Sequence, residues 1–267
     1  MRIVICAKEV PDPDAVNNYA LEGRLVIGDD GKTLTQTSIP RLMNAYDEQA
    51  IEAALRFRDA STECTITVVC AGAESGDVLK HAAAMGADEI VSIPIDATTV
   101  DYHVMGDLLA AYVKSSGGAD LVLCGRQASD DDQGVVPAML AERLDMPLVS
   151  IARDVALTDG GGVRVTRVTP DGDEIVECAC PAIVTISNEL GTPRYPTMAK
   201  RMQARKKQPT VVEVASLGLA DTALQPRVTL TKQFVPTVQS SCQMIEGASA
   251  AELADALVAK LREENVL

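Results

Sequence analysis

The chain predicts an α/β fold, a Rossmann-like open parallel sheet with antiparallel additions and a C-terminal arm, and three observations lead there. Short β-branched runs alternate with helical patterns from Ile3 to Cys124. The runs are continuous in apolar residues, as expected of parallel strands covered by helices on both faces. After Met146 the helical patterns stop and strands follow one another directly.

In order, IVICA at Ile3 is the first strand; a helix over 47–58, TITVVC at Thr65, a helix over 75–85, EIVSI at Glu89, a helix over 102–114 and DLVLC at Asp120 follow. This is βαβ organisation. Between Ile5 and Asp47 the stretch RLVIGDDGKTLT reads as a hairpin, with Asp30 and Gly31 supplying its turn. Another helix is expected to open at about Gln133. LVSIARDVALT, GGVRVTRVT, EIVECAC and AIVTI are then strands, separated by turns at 159–162 and at Asp171 and Gly172, and they extend the sheet by an antiparallel portion. Residues 249–263 form an amphipathic helix with Leu253, Leu257 and Leu261 at i+4 spacing. Between residue 210 and that helix the chain is Pro-punctuated and weakly patterned. It is either an arm that packs on a partner or a plain surface linker.

Composition excludes several functions. The 267 residues carry 38 Asp and Glu against 24 Lys and Arg, a net charge of -14, whereas nucleic acid requires clustered basic surface. Met1 leads directly into an apolar strand without a basic leader, and no apolar run approaches the roughly 18 residues of a membrane span. A cytoplasmic protein without membrane insertion is expected. Seven cysteines, an odd number lacking a CxxC pair, read as reduced thiols. Only His81 and His103 supply imidazoles, neither at metal-ligand spacing with a cysteine, so no metal site is expected. The chain lacks GxGxxG after its first strand and GxxxxGK[ST] anywhere. Two histidines in unrelated segments do not assemble a nucleophile with its base, so catalysis by this chain alone is not expected.

Three apolar strands finish alike, in ICAK at Cys6, VCAG at Cys70 and LCGR at Cys124. Ligands of open parallel sheets sit beyond the carboxyl ends of strands, where small residues let a flat base approach the backbone. Cysteine and alanine are also ordinary core residues. GRQASDDDQGVVP follows Cys124. One aspartate of its triplet is expected to cap the following helix, another to meet ribose hydroxyls, and helix-start amides to hold a phosphate. A merely solvated triplet is the alternative.

Residues 181–207, PAIVTISNELGTPRYPTMAKRMQARKK, concentrate positive charge in this acidic chain. Between Glu189 and Glu213 stand Arg194, Lys200, Arg201, Arg205, Lys206 and Lys207 and no carboxylate. Pro193 and Pro196 bracket Arg194 and Tyr195 and deny them a regular helix, so a ledge-like loop is expected there, with a short helix from Met198. The segment is either a solvated charged helix or a docking loop.

This stretch resembles the signature of the β subunit of electron transfer flavoproteins. IVICAKEVPDPD, MNAYDEQAIEAALRFRD, TVVCAG with AAAMGADE, DLVLCGRQASDDDQGVVPAMLAERL and TRVTPDGDEIVECACPAIVTIS resemble the same family in the same order, from about residue 2 to about residue 210. The resemblance implies an adenine nucleotide α-hydrolase-like fold, with a nucleotide-binding domain over 1–210, a recognition loop over 188–207, and an arm and helix over 211–267 packing on the α subunit. It implies a heterodimeric electron carrier whose FAD is held mainly by the α subunit, while this subunit binds AMP. Electrons would pass from acyl-CoA or related dehydrogenases to an acceptor of the electron transfer flavoprotein-quinone oxidoreductase type. Carried over by position, the nucleotide contacts are Cys6, Ala7, Asn44, Ala45, Tyr46, Asp47, Cys70, Ala71, Gly125, Gln127, Ala128, Asp130, Asp131, Asp132, Gln133, Gly134, Val135 and Val136. Docking falls to Pro193, Arg194, Tyr195, Thr197, Met198, Lys200 and Arg201, with Met198 as the apolar anchor. One departure stands out: the family's threonine after the acidic triplet is absent from Gln133, Gly134, Val135 and Val136. That favours AMP over an extended dinucleotide. In flavin-bifurcating relatives a second FAD that oxidises NADH replaces AMP, and the tail IEGASAAELADALVAKL resembles that branch, so this alternative stays open. A stand-alone nucleotide sensor or hydrolase fits the docking loop less well.

Overall fold

The computed structural model describes residues 1–36, 38–60, 62–236 and 242–267. Its first strand, β1 (Arg2–Ala7), is buried from Ile3 onward. A short pair follows, β2 (Glu9–Pro11) antiparallel to β3 (Arg41–Met43), with helix α1 (Pro13–Leu21) between them. Asp12 caps α1 by accepting the amides of Asp14 and Ala15, and Pro13 sits where a helix tolerates proline. The alternation then proceeds as α2 (Ala45–Asp59), β4 (Thr65–Ala71), α3 (Gly76–Met85), β5 (Glu89–Ile93), α4 (Tyr102–Ser115), β6 (Leu121–Gly125) and α5 (Val136–Leu144). The strands β7 (Leu148–Leu157), β8 (Val163–Thr169), β9 (Gly172–Cys178) and β10 (Ala182–Ile186) come next, then α6 (Met198–Ala204) and the two-residue β11 (Thr210–Val211).

One nine-stranded sheet results, in the order β11-β5-β4-β1-β6-β10-β7-β8-β9. From β11 to β7 all neighbours are parallel; β7–β8 and β8–β9 are antiparallel. Successive residues of a strand face opposite layers. Ile3, Ile5 and Ala7 accordingly pack with Ile51, Leu55 and Phe57 of α2 and Leu79 of α3. Val4 and Cys6 pack with Leu108 and Val113 of α4 and Leu140 of α5. Each fully buried Leu, Ile or Phe of these layers contributes about 1.5–3 kcal/mol.

Three expectations need correction. AIVTI does not join the antiparallel portion: β10 lies between β6 and β7, parallel to both. All five of its residues are buried, which only a central strand achieves. The expected hairpin forms as a short one: the antiparallel bridge Ile27–Leu34 is flanked by bonds from the Gly28 amide to the Thr33 carbonyl and from the Thr35 amide to the Val26 carbonyl, and Asp30 accepts the amides of Lys32 and Thr33 and the Thr33 hydroxyl at its turn. The helix expected from Gln133 starts at Val136, because Gly134, at φ +62°, interposes a left-handed turn. Finally, the compact first unit runs to Gln233 rather than to residue 210. Val212 donates to the Ser92 carbonyl at 2.9 Å, Leu217 is buried against the α4 layer, and Asp101 accepts the amides of Arg227 and Val228 at 2.7 and 2.8 Å.

The second unit, Phe234–Leu267, holds α7 (Ala250–Glu263). Ser249 accepts the Glu252 amide and Glu252 accepts the Ala248 amide, a reciprocal cap. No residue of α7 is buried, and Leu253, Leu257 and Val258 stay exposed. No helix among the described residues is long and apolar enough to cross a membrane.

Candidate functional site

The strand order reverses at β1, with β4 on one side and β6 on the other, so the loops leaving β1 and β6 diverge and open a crevice at their carboxyl ends. The three cysteines meet there. Cys6 pairs in register with Cys124 and Ala7 with Cys70. Burial pushes the Cys70 thiol up to about 12. Cys124, hydrogen-bonded to Cys6 and desolvated, is raised well above its ordinary value. These thiols are an apolar floor, not nucleophiles. Ala71 ends β4 beside them, half-buried.

Asp47, in the first turn of α2, holds the two lips together. Its Oδ2 accepts the Lys8 amide at 2.8 Å and its Oδ1 the Gly125 amide at 3.0 Å. Burial raises the Asp47 carboxyl to about 7 against the opposing pull of these donors. Asn44, also buried, donates from Nδ2 to the Gln127 carbonyl at 2.8 Å and accepts the Ser129 amide at 3.3 Å. Gly125 is obligatory, since a Cβ there would collide with Asp47 Oδ1 and stand 2.7 Å from Tyr46 Cβ. Asn44 and Asp47 therefore spend their polar atoms on the loop backbone, whereas Ala45 is exposed and the half-buried Tyr46 ring lies 5.8 Å from the Arg126 guanidinium.

The acidic triplet does not cap α5. Val135 occupies the N-cap without a side-chain hydrogen bond. Asp131 accepts the Gln133 amide at 3.2 Å, and Asp132, at φ 51°, accepts from Gln127 Nε2 at 2.7 Å. Ala128 closes the turn by accepting the Asp132 amide. The amides of Val135 and Val136 are left at the helix start beside Gly134, whose absent Cβ would stand 2.7 Å from the Arg126 carbonyl. Lys8 is the residue that sequence reasoning missed. Its Nζ reaches Asp130 Oδ1 at 2.7 Å and Asp131 Oδ2 at 3.0 Å, bridging the lips. Burial alone would lower the Lys8 ammonium, but these carboxylates outweigh it and hold it above its ordinary value. Only its place directly after ICA signalled a crevice residue.

The basic segment lies away from the crevice on the α2 and α3 side. Tyr195 and Met198 are 77% and 71% exposed on the extended ledge and the first turn of α6, and Thr197 caps α6 by accepting the Lys200 amide at 3.3 Å. Pro193 is half-buried and Lys200 exposed. Arg201 donates to the Tyr195 hydroxyl at 2.8 Å and covers its ring at 5.4 Å. Arg194, carried over as a docking residue, turns onto Glu52 and Asp59 of α2.

The doubly wound sheet, with its switch point between β1 and β6 and a separate exposed basic ledge, places the chain in the α/β class of open parallel sheets. A model of the electron transfer flavoprotein domain matches residues 32–217. The chain is 32% identical to subunit CarD of the caffeyl-CoA reductase-Etf complex of Acetobacterium woodii, covering all of both chains. It is 31% identical to the electron transfer flavoprotein subunit beta of Clostridium acetobutylicum, again over all of both, and 30% identical to a probable counterpart in Saccharomyces cerevisiae over 98% of this chain and 96% of that one. The chain belongs to the electron transfer flavoprotein β-subunit family.

Proposed function

We propose that this chain is the β subunit of a heterodimeric electron carrier: it binds AMP in the crevice, shares an FAD held mainly by an α subunit, and docks the reducing dehydrogenase. The exposure of Met198 and Tyr195 on a carboxylate-free basic ledge carries this reading. An exposed thioether surrounded by cations has no role in the chain's own core, but a shuttle needs a small interface dominated by one adaptable anchor. Electrons would come from acyl-CoA or related dehydrogenases and go to a quinone oxidoreductase, with the complex in the cytoplasm and this chain no catalyst on its own.

For AMP, the floor formed by Ala7, Ala71 and Gly125 suits a flat base, and the Val135 and Val136 amides suit one phosphate. Three aspartates, two of them paired with Lys8 and the third held by the neutral Gln127, disfavour a longer anionic chain. The second reading, a β subunit holding a further FAD that oxidises NADH, draws on the tail around Leu253 and Leu257 and on full-length similarity to a subunit of a CoA-ester reductase complex. Its crevice would have to accommodate a second phosphate without a threonine hydroxyl.

The docking assignment is tested by Met198→Ala in the αβ complex. Losing the contact that Met198 would bury on a partner should cost roughly 1.5–3 kcal/mol, about a ten- to hundredfold weaker partner affinity. Melting temperature and bound flavin should stay unchanged, because Met198 supports nothing in its own chain. Unaltered dehydrogenase-driven flavin reduction would refute the assignment.

A further inference from the structure

The six cations between Glu189 and Glu213 are not equivalent in the fold. Arg194 turns inward: Nε donates to Glu52 Oε2 at 2.8 Å, its backbone amide to the same oxygen at 3.1 Å, and Nη2 to Glu52 Oε1 at 3.1 Å and Asp59 Oδ2 at 2.6 Å. The Glu52 side chain is only 8% exposed. Burial would raise that carboxyl, yet the Arg194 bonds outweigh it and hold it below its ordinary value. Gln49 and Arg56, on the same face of α2, donate to the carbonyls of Gly191 and Leu190 just before the ledge. At the other end, Lys207 Nζ donates to the carbonyls of Ala87 and Asp88. Between these ends Arg201 is occupied by Tyr195. Lys200, Arg205 and Lys206 are exposed and have no carboxylate partner among the described residues.

We propose that Arg194 and Lys207 are positioning residues that pin the two ends of the docking segment to its own domain, and that Lys200, Arg205 and Lys206 are the cations offered to acidic groups of the redox partner. This rests on the docking reading above. A segment held at both ends has its ordering cost met before the partner arrives, which strengthens binding without any new contact. The two sets act differently with salt. A cation facing a partner's carboxylate across solvent is screened by added salt and contributes to association, whereas one neutralised within its own domain is not.

The test uses the αβ complex with butyryl-CoA dehydrogenase, reduced by butyryl-CoA, as the probe partner, and follows KM and kcat for flavin reduction at low and high NaCl. The triple substitution Lys200→Gln, Arg205→Gln, Lys206→Gln should flatten the dependence of log KM on log [NaCl]. Arg194→Gln and Glu52→Gln should each raise KM severalfold at both salt levels and leave that slope and kcat unchanged, with Arg194→Lys restoring part of the affinity. Independently of any partner, trypsin should cut the segment around Lys200 and Arg201 several times faster in Arg194→Gln and Lys207→Gln than in the parent complex. Arg194→Gln flattening the salt slope as the triple substitution does would overturn the pin, as would unchanged KM and proteolysis. Met198→Ala and the triple substitution both leaving KM unchanged would remove the docking reading and the proposal with it.

Discussion

Asp47 shows how one side chain serves both sheet and site. Its carboxylate ties the amide after β1 to the amide ending β6, the two strands whose divergence makes the crevice. Its position under the lips leaves it without water, so the folded chain holds the carboxyl at about 7, against 3.8 ordinarily. A carboxyl raised by folding stabilises the protein while protonated. That contribution is lost as pH rises from about 4 to about 7 and is absent above. In Asp47→Asn the ionisable group is gone. Unfolding free energies of the parent and of Asp47→Asn, measured by denaturant at about pH 4 and again at about pH 8, should therefore converge or cross as pH rises, the parent losing more. Parallel pH profiles would show that Asp47 does not titrate in this range. Lys8 reaches the acidic loop from the junction of β1 and β2, more than a hundred residues away, and no local pattern announces such a pair.

At the scale of elements, α7 is the part least explained by its own unit. Capped at Ser249 and amphipathic, it keeps Leu253, Leu257 and Val258 exposed and buries none of its residues. A helix with an apolar stripe is stabilised mainly by packing that stripe, and the α subunit is the surface proposed to cover it. A chain ending at Gln233 should keep the thermal unfolding of the first unit within a few degrees and lose most of its affinity for the α subunit, measured by co-purification and titration. Full retention of that affinity would place the contact elsewhere. The main βαβ elements were legible because helices such as α2 and α4 are long and periodic and strands such as β6 are wholly apolar. Strand order was not. AIVTI has the composition of any buried strand, and only the completed sheet sets β10 between β6 and β7. Helix α1 carries a start signal in Asp12 and Pro13, but its nine residues hold no buried side chain and so no apolar stripe marks its course in the sequence. In the site, small residues at three strand ends were readable. That Arg194 pairs with Glu52 was not, since the two lie 142 residues apart.

The whole molecule joins two surfaces of opposite character. Its net charge of -14 repels acidic proteins over most of its surface, while the segment from Arg194 to Lys207 presents cations and an apolar tip at one place. Under the proposed docking role, an acidic partner would be steered to that place and discouraged elsewhere, which favours fast, oriented and brief encounters. The crevice on the carboxyl edge of the sheet lies apart from this ledge, and α2 contributes to both, with Asp47 at one and Glu52 at the other. The nucleotide proposed to bind in the crevice would decide what kind of carrier this is. Nucleotides released by heat from the co-purified αβ complex, identified by mass and counted per heterodimer, should be one AMP and one FAD; two FAD and no AMP would contradict the account.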